Sequence, residues 1–153
     1  MANTYSQVYI QIVFAVQNRS TLIKEYFRDD LYKYITGIVK NNGHLLMAIN
    51  GMSDHIHILI GLLPNQSISS LVQDIKGSSS KWINQQKFLP TRFSWQQGYG
   101  VFSYSRSSIE NVIKYINNQE FHHRKKRFRD EYLELLKEFD ISYDDRYIFK
   151  STE

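Results

Sequence analysis

"GMSDHIHILIG", residues 51–61, reads as a strand that carries two histidines in an otherwise apolar run. Alternation along a strand sends His55, His57 and Leu59 to one face and Ile56, Ile58 and Ile60 to the other. The isoleucines suit a face packed under helices, which leaves the histidines on the opposite, open face. Burying two imidazoles is costly unless each finds a hydrogen-bond partner or a metal ion. Two histidines at this spacing can share one metal, but a metal needs further ligands. Alone, such a pair is more often two partly exposed strand histidines than a site.

Working outward, "HLLMAINGM" (44–52) is a second strand, with His44 at its start and a short turn that makes a hairpin with 55–61. "SQVYIQIVFAV" (6–16) is β-rich and aromatic, and reads as a first strand. Between them Phe27, Leu31, Tyr34, Ile35 and Ile38 recur at helical spacing over 22–43, and Asn42-Gly43 ends that helix. A second helix is expected over 67–88 with Ser67 as its N-cap, although its "GSSS" interior weakens continuity. Residues 93–105 read as a loop and a short strand. A third helix is expected over 107–123, capped by Ser107 or Ser108, with Glu110 placed for a capping box. A fourth covers 129–139. This order predicts an α+β, ferredoxin-like (RRM-like) antiparallel sheet with two helices on one face and the additional helix 107–123 on the other.

The 153 residues make one domain, 1–153, able to bury a real core. Apolar residues are 42% of the chain, so it is globular, and the lack of cysteine excludes disulfides and thiolate metal sites. No signal peptide or membrane span is read, and the expectation is a cytoplasmic protein. Charge is uneven. Residues 1–129 hold 16 basic and 7 acidic side chains, a net +9, whereas 130–153 hold 3 basic and 8 acidic, a net −5. A basic body with an acidic helix and tail suits a polyanion partner, and equally an ordinary basic protein with an acidic terminal helix.

Any partner for the histidines must come from whatever covers their face. In "IENVIKYINNQ", Ile109, Val112, Ile113 and Ile116 form an apolar stripe, and Tyr115 and Gln119 lie together along one edge. Packing by that stripe brings a phenol and a carboxamide to the rim of the open face. Without more, both are ordinary edge residues of an amphipathic helix.

Together these motifs resemble a known family. His55-Ile56-His57 matches the HUH signature of nucleases that cut single-stranded DNA with a tyrosine. "KYINNQ" looks like the catalytic helix of the single-tyrosine HUH transposases of bacterial insertion sequences, the IS200-like transposases. "WQQGYGVFSYS" resembles the segment before that helix, and the likeness runs over roughly residues 5–130. One departure stands in the first strand, where members commonly carry a Tyr-His pair and this chain reads "VYIQIVF" with Gln11.

The resemblance implies a transposase that cleaves and rejoins single-stranded DNA at hairpin-bearing ends through a 5′-phosphotyrosine. Tyr115 is then the nucleophile, and His55, His57 and Gln119 hold a divalent metal. Nitrogen and amide-oxygen ligands without thiolate suit Mg²⁺ or Mn²⁺. Arg124, Lys125, Lys126, Arg127 and Arg129, with His122, are the expected DNA contacts, against the alternative of a solvated junction. Among Trp82, Phe93, Trp95, Tyr99, Phe102 and Tyr104, one or two are expected to touch bases and the rest to be core. Two ends and one motif tyrosine per chain imply a homodimer, with sites shared in trans. A domesticated relative that processes hairpin repeats, and a non-catalytic nucleic-acid-binding ferredoxin-like module, are the alternatives.

Overall fold

The computed structural model describes residues 3–123, 126–144, 146 and 148, with the side chains of 122 and 123 excepted. Four strands form one antiparallel sheet in the order β2-β3-β1-β4. They are β1 (Tyr9–Ala15), β2 (Leu45–Gly51), β3 (His55–Gly61) and β4 (Gly100–Tyr104). The predicted strand 55–61 is β3, second from one edge, with Val13 of β1 and Asn50 of β2 flanking His57 in register. The tight β2–β3 connection closes through Met52 N–H donating to the His55 carbonyl. Gly51 has no room for a side chain there, since a Cβ would lie 2.1 Å from the His55 carbonyl oxygen.

One face of the sheet is a helix-packed core. Ile10, Ile12 and Phe14 of β1 join Ile56, Ile58 and Ile60 of β3, all at 2% exposure or less. Helix α1 (Glu25–Asn41) covers them with Phe27, Leu31, Ile35 and Val39, spaced to fall on one helical face. Helix α2 (Ile68–Gln86) adds Leu71, Val72, Ile75 and Ile83. Its N-terminus is capped as expected, with the Ser67 hydroxyl accepting from Ser70 N–H. The "GSSS" stretch is helical, and within it buried Ser79 donates its hydroxyl to the Ile75 carbonyl and accepts from Trp95 Nε1–H at 2.9 Å. Each fully buried Leu, Ile or Phe contributes about 1.5–3 kcal/mol relative to exposure.

Two helices share the other face, where one was expected. Ile109, Val112 and Ile116 of α3 (Ile109–Asn117) pack on Ala48 and Leu59. Phe128, Tyr132, Leu135 and Leu136 of α5 (Phe128–Glu138) pack on Val13, Ala15 and Phe102. The expected helix 107–123 is not continuous. A 3-10 turn (Arg106–Ser108) precedes α3, and Asn118 (φ −99°, ψ 24°) separates it from α4 (Gln119–His123). Nor does a capping box form: the hydroxyls of Ser107 and Ser108 meet that of Ser105 instead of helix amides. No helix among the described residues is long and apolar enough to cross a membrane.

Candidate functional site

β3 sets His55 and His57 side by side, fully buried, with ring centroids 5.1 Å apart. Each ring is held from behind. His55 Nδ1 lies 2.7 Å from Asp54 Oδ1, and His57 Nδ1 lies 2.7 Å from Gln11 Oε1. A carboxylate only accepts, so a proton on His55 Nδ1 faces Asp54 and Nε2 is turned inward. Gln11 is fixed in its turn, since its Nε2 donates to the Tyr104 hydroxyl at 2.7 Å, and His57 Nε2 also faces inward.

Three side chains converge on those two Nε2 atoms. Gln119 Oε1 lies 3.1 Å from His55 Nε2. Glu131 Oε1 lies 3.0 Å from His57 Nε2 and 3.7 Å from His55 Nε2. The Tyr115 hydroxyl donates to Glu131 Oε2, and Gln119 Nε2 donates to the same oxygen at 3.3 Å. Tyr115 and Gln119 thus meet although the helix breaks between them at Asn118. The break lets Gln119 turn fully inward, so it is buried and not at the rim as expected. Asn50 of β2 fastens this end of α3, donating to the carbonyls of Ile116 (3.0 Å) and Asn117 (3.2 Å). The Tyr115 that stands beside these histidines is the chain's own. Sharing it between two copies requires α3 to leave Asn50.

The donor set fits a divalent cation. Two imidazole nitrogens, an amide oxygen and a carboxylate oxygen surround one buried point, and the His55, His57 and Glu131 ligand atoms all lie within 4.8 Å of one another. Inward lone pairs on nitrogen and oxygen repel unless a proton or a cation lies among them. Burial, then the charge of Glu131 and the bond to it, push the Tyr115 phenol well above its ordinary range.

The surroundings are also charged and aromatic. Phe128 stacks on His55 at 4.0 Å with an interplanar angle of 15°, and the buried Arg19 guanidinium carbon lies 5.7 Å from the Phe128 ring centroid. A cleft of about 510 Å³ between α3 and α5 reaches Tyr115, past Ser105, Asn111, Glu134 and Glu138.

The expected DNA contacts divide. Arg124, Lys125 and the side chain of His122 lie outside the described residues. Lys126 pairs with Glu134 at 2.5 Å, Arg127 is exposed, and Arg129 is half-buried. Among the aromatics, Phe93, Trp95 and Phe102 are core, and Trp82 stacks on Tyr34 at 4.8 Å. Tyr104 is tied to Gln11, which leaves Tyr99 exposed. His44 is a structural link, near Gln66 Oε1 and accepting from Leu63 N–H at 3.0 Å.

Sequence reasoning missed Asp54, Gln11, Asn50 and Glu131. Asp54 directly precedes His55 and was legible as its partner. Glu131 had one signal: it falls in the apolar stripe Phe128, Tyr132, Leu135, where a solvated acid does not belong.

Several known proteins are similar to this chain. The family described as "Transposase IS200 like" matches residues 4–119. The ISDra2 transposase TnpA of Deinococcus radiodurans is 24% identical over 118 residues, covering 74% of this chain and 84% of that protein. A solved candidate transposase of the same organism superposes with a TM-score of 0.62 at 24% identity, covering 76% of this chain and 94% of its own. A REP-associated tyrosine transposase bound to a REP hairpin gives 0.61 at 15% identity, covering 79% and 72%. Both structures share the fold of this chain.

Proposed function

The chain belongs to the IS200-like transposase family, and from that membership we propose that it cleaves and rejoins single-stranded DNA at hairpin-bearing ends, with Tyr115 as nucleophile. The Tyr115 oxygen forms a bond to phosphorus while the phosphorus–O3′ bond breaks. The phenolic proton lost is balanced by the proton gained at the leaving 3′-oxygen. The product is a 5′-phosphotyrosine and a free 3′-hydroxyl. The phosphoester is conserved, so a different 3′-hydroxyl can reverse the step and join new ends.

His55, His57 and Gln119 would hold a divalent cation, Mg²⁺ or Mn²⁺. When bound it offsets the phosphate charge that repels a nucleophile. Asp54 and Gln11 orient the two rings, and Asn50 keeps Tyr115 beside His57. Lys126, Arg127 and Arg129, together with Arg124, Lys125 and His122, would hold flanking phosphates. Two ends need two tyrosines and each chain offers one in the motif, so a homodimer is the acting unit.

One observation carries this reading: the Tyr115 hydroxyl and the His57 Nε2 meet on a single buried carboxylate. A phenol and an imidazole pair so juxtaposed suit attack on a phosphate held at that point. The test incubates the protein with a single-stranded hairpin oligonucleotide and Mg²⁺ or Mn²⁺, then resolves the products under denaturing conditions. A covalent protein–DNA band that excess chelator removes is expected. Binding without any such band, in either metal, overturns the reading in favour of a non-catalytic module. A second reading, a domesticated relative that processes hairpin repeats, is favoured by a site complete within one chain.

A further inference from the structure

Between Asp54 and Glu110 the chain holds a single acidic residue, Asp74, against the cations Lys76, Lys81, Lys87, Arg92 and Arg106. Asp74 accepts from Gln66 Nε2 at 3.0 Å. Two adjoining clefts of about 410 and 460 Å³ run along α2 in this stretch and share Gly77, Ser80 and Ser94. Their floor is one face of α2, where Gln73, Gly77, Ser80 and Asn84 recur at helical spacing over about 16 Å. Their wall is the loop 92–98. No carboxylate lines either cleft.

The wall is fastened to α2 at both ends. The Asn84 side chain donates to the Phe93 carbonyl at 2.9 Å and accepts from the Phe93 N–H at 2.8 Å. Further along, Lys76 Nζ donates to the carbonyls of Gln96 and Gly98. The groove is therefore formed before a ligand arrives, and binding need not order it. Gly77 keeps it open, since no atom lies within 4 Å of where a Cβ would stand. Tyr99 borders it, 37% exposed, with the Lys76 ammonium 5.9 Å from its ring centroid. Lys81 and Arg92 are exposed along it, and neither pairs with a carboxylate among the described residues.

The groove also begins beside the site. Gln96 N–H donates to the Ala15 carbonyl at 2.8 Å, and Ala15 is the register partner of His55. We propose that this groove holds unpaired DNA continuous with the strand cut at Tyr115, with phosphates on Lys81 and Arg92 and one base stacked on Tyr99. This rests on the transposase reading and adds where the flanking strand lies. A polyanion suits a groove with cations and no acid. Stacking on Tyr99 requires a base freed from its pair, and the amides of Gln73, Gln96 and Gln97 offer donors and acceptors to base edges.

The test measures oligothymidylate binding to the full chain in excess chelator, where no cleavage is needed. Lys81→Ala with Arg92→Ala should weaken binding about tenfold at low salt. It should also flatten the slope of log affinity against log salt by about 1.4, since each phosphate contact on a single strand contributes about 0.7. Tyr99→Ala should weaken binding on the order of tenfold with the slope unchanged, because stacking releases no counterions. Lys24→Ala with Lys33→Ala removes the same charge at exposed positions of the α1 side and should change neither quantity. Oligothymidylate carrying 5-iodouracil should cross-link to Tyr99 on irradiation. Equal losses in the two double variants would reduce the effect to overall charge and overturn the proposal, as would cross-links confined to other residues. Unchanged affinity in the Lys81 and Arg92 variant overturns it too, and a shifted sedimentation coefficient would then make the groove an interface between copies. If no covalent adduct forms with any hairpin substrate, the transposase chemistry fails, while these binding measurements still decide on the groove.

Discussion

Ile56, Ile58 and Ile60 leave β3 on one side, His55 and His57 leave it on the other, and all five are fully buried. The isoleucines join one apolar cluster with side chains of β1, α1 and α2. The histidines meet Asp54, Gln11, Gln119 and Glu131, with each ring nitrogen assigned a polar partner. Equal dryness therefore hides opposite energetics. An isoleucine stabilises by leaving water, whereas an imidazole or carboxylate loses hydration and recovers it only through directed contacts. The helix face tolerates a change of shape poorly and a change of chemistry hardly at all. On the histidine face, the proposed chemistry turns on single atoms.

The largest expected effect lies on the histidine face. Tyr115→Phe removes one oxygen and should abolish the covalent adduct, while unfolding in denaturant shifts by no more than about 1–2 kcal/mol. An adduct formed by the Phe variant would assign the nucleophile elsewhere. Mixing Tyr115→Phe with His57→Ala chains then reads how the site is shared. Each variant alone is inactive, and activity returns in verified heterodimers only when the tyrosine of one copy serves the histidines of the other. Silence would mean that Tyr115 keeps the cis position it holds beside its own His57.

On the helix face the next effect is purely one of stability. Ile58→Ala empties a fully buried position and should cost about 2–5 kcal/mol, read as a lower denaturation midpoint. Adduct formation per folded molecule should stay close to that of the parent. A comparable loss of chemistry would mean that the two faces are coupled through β3.

The helix face was almost wholly legible because its signals are local. Period-two isoleucines and the helical spacing of Phe27, Leu31 and Ile35 each encode one buried side within a short window. The histidine pair, Tyr115 and Gln119 were legible as motifs, since the family resemblance rests on those residue types at those spacings. Glu131 was not, because a glutamate in an acidic helix looks solvated until the helix is placed on the sheet. The break at Asn118 was equally hidden: asparagine is tolerated inside helices, and the Asn50 bonds to the carbonyls of Ile116 and Asn117 exist only once α3 is placed on the sheet. For Ser107 and Ser108 the capping signal was genuine, but a 3-10 turn took its place.

Asn50→Ala offers a smaller effect on the boundary between the faces. It removes two side-chain bonds that pin the end of α3 to β2. A loss of about 1 kcal/mol is expected, since hydrogen bonds of this kind contribute about 0.5–1.5 kcal/mol each and water reaches part of this one. Adduct formation should fall by more than stability does, because Tyr115 is aimed by that contact. Equal losses would make Asn50 an ordinary fastening.

Lys76 gives the smallest and most specific test, because its charge reaches the apolar face. Its Nζ lies 5.3 Å from the Phe14 ring centroid and donates to the carbonyls of Gln96 (2.9 Å) and Gly98 (2.5 Å). Burial pushes its pKa down to about 8 from an ordinary 10.5, so the charged form is disfavoured in the folded chain. Below pH 8 both folded and unfolded chains are protonated at this site, and the penalty for burying the charge is felt in full. Between 8 and 10.5 the folded chain releases the proton while the unfolded chain keeps it, so stability rises with pH across that window. Above 10.5 both are neutral and the penalty is gone. Lys76→Met lacks this titration, and comparing the two proteins cancels every group they share. The unfolding midpoint of the parent should therefore gain on that of Lys76→Met as pH rises from 8 towards 10.5. Parallel curves would show that the two carbonyls hold the ammonium as well as water does, and that the apolar face carries no buried charge to relieve.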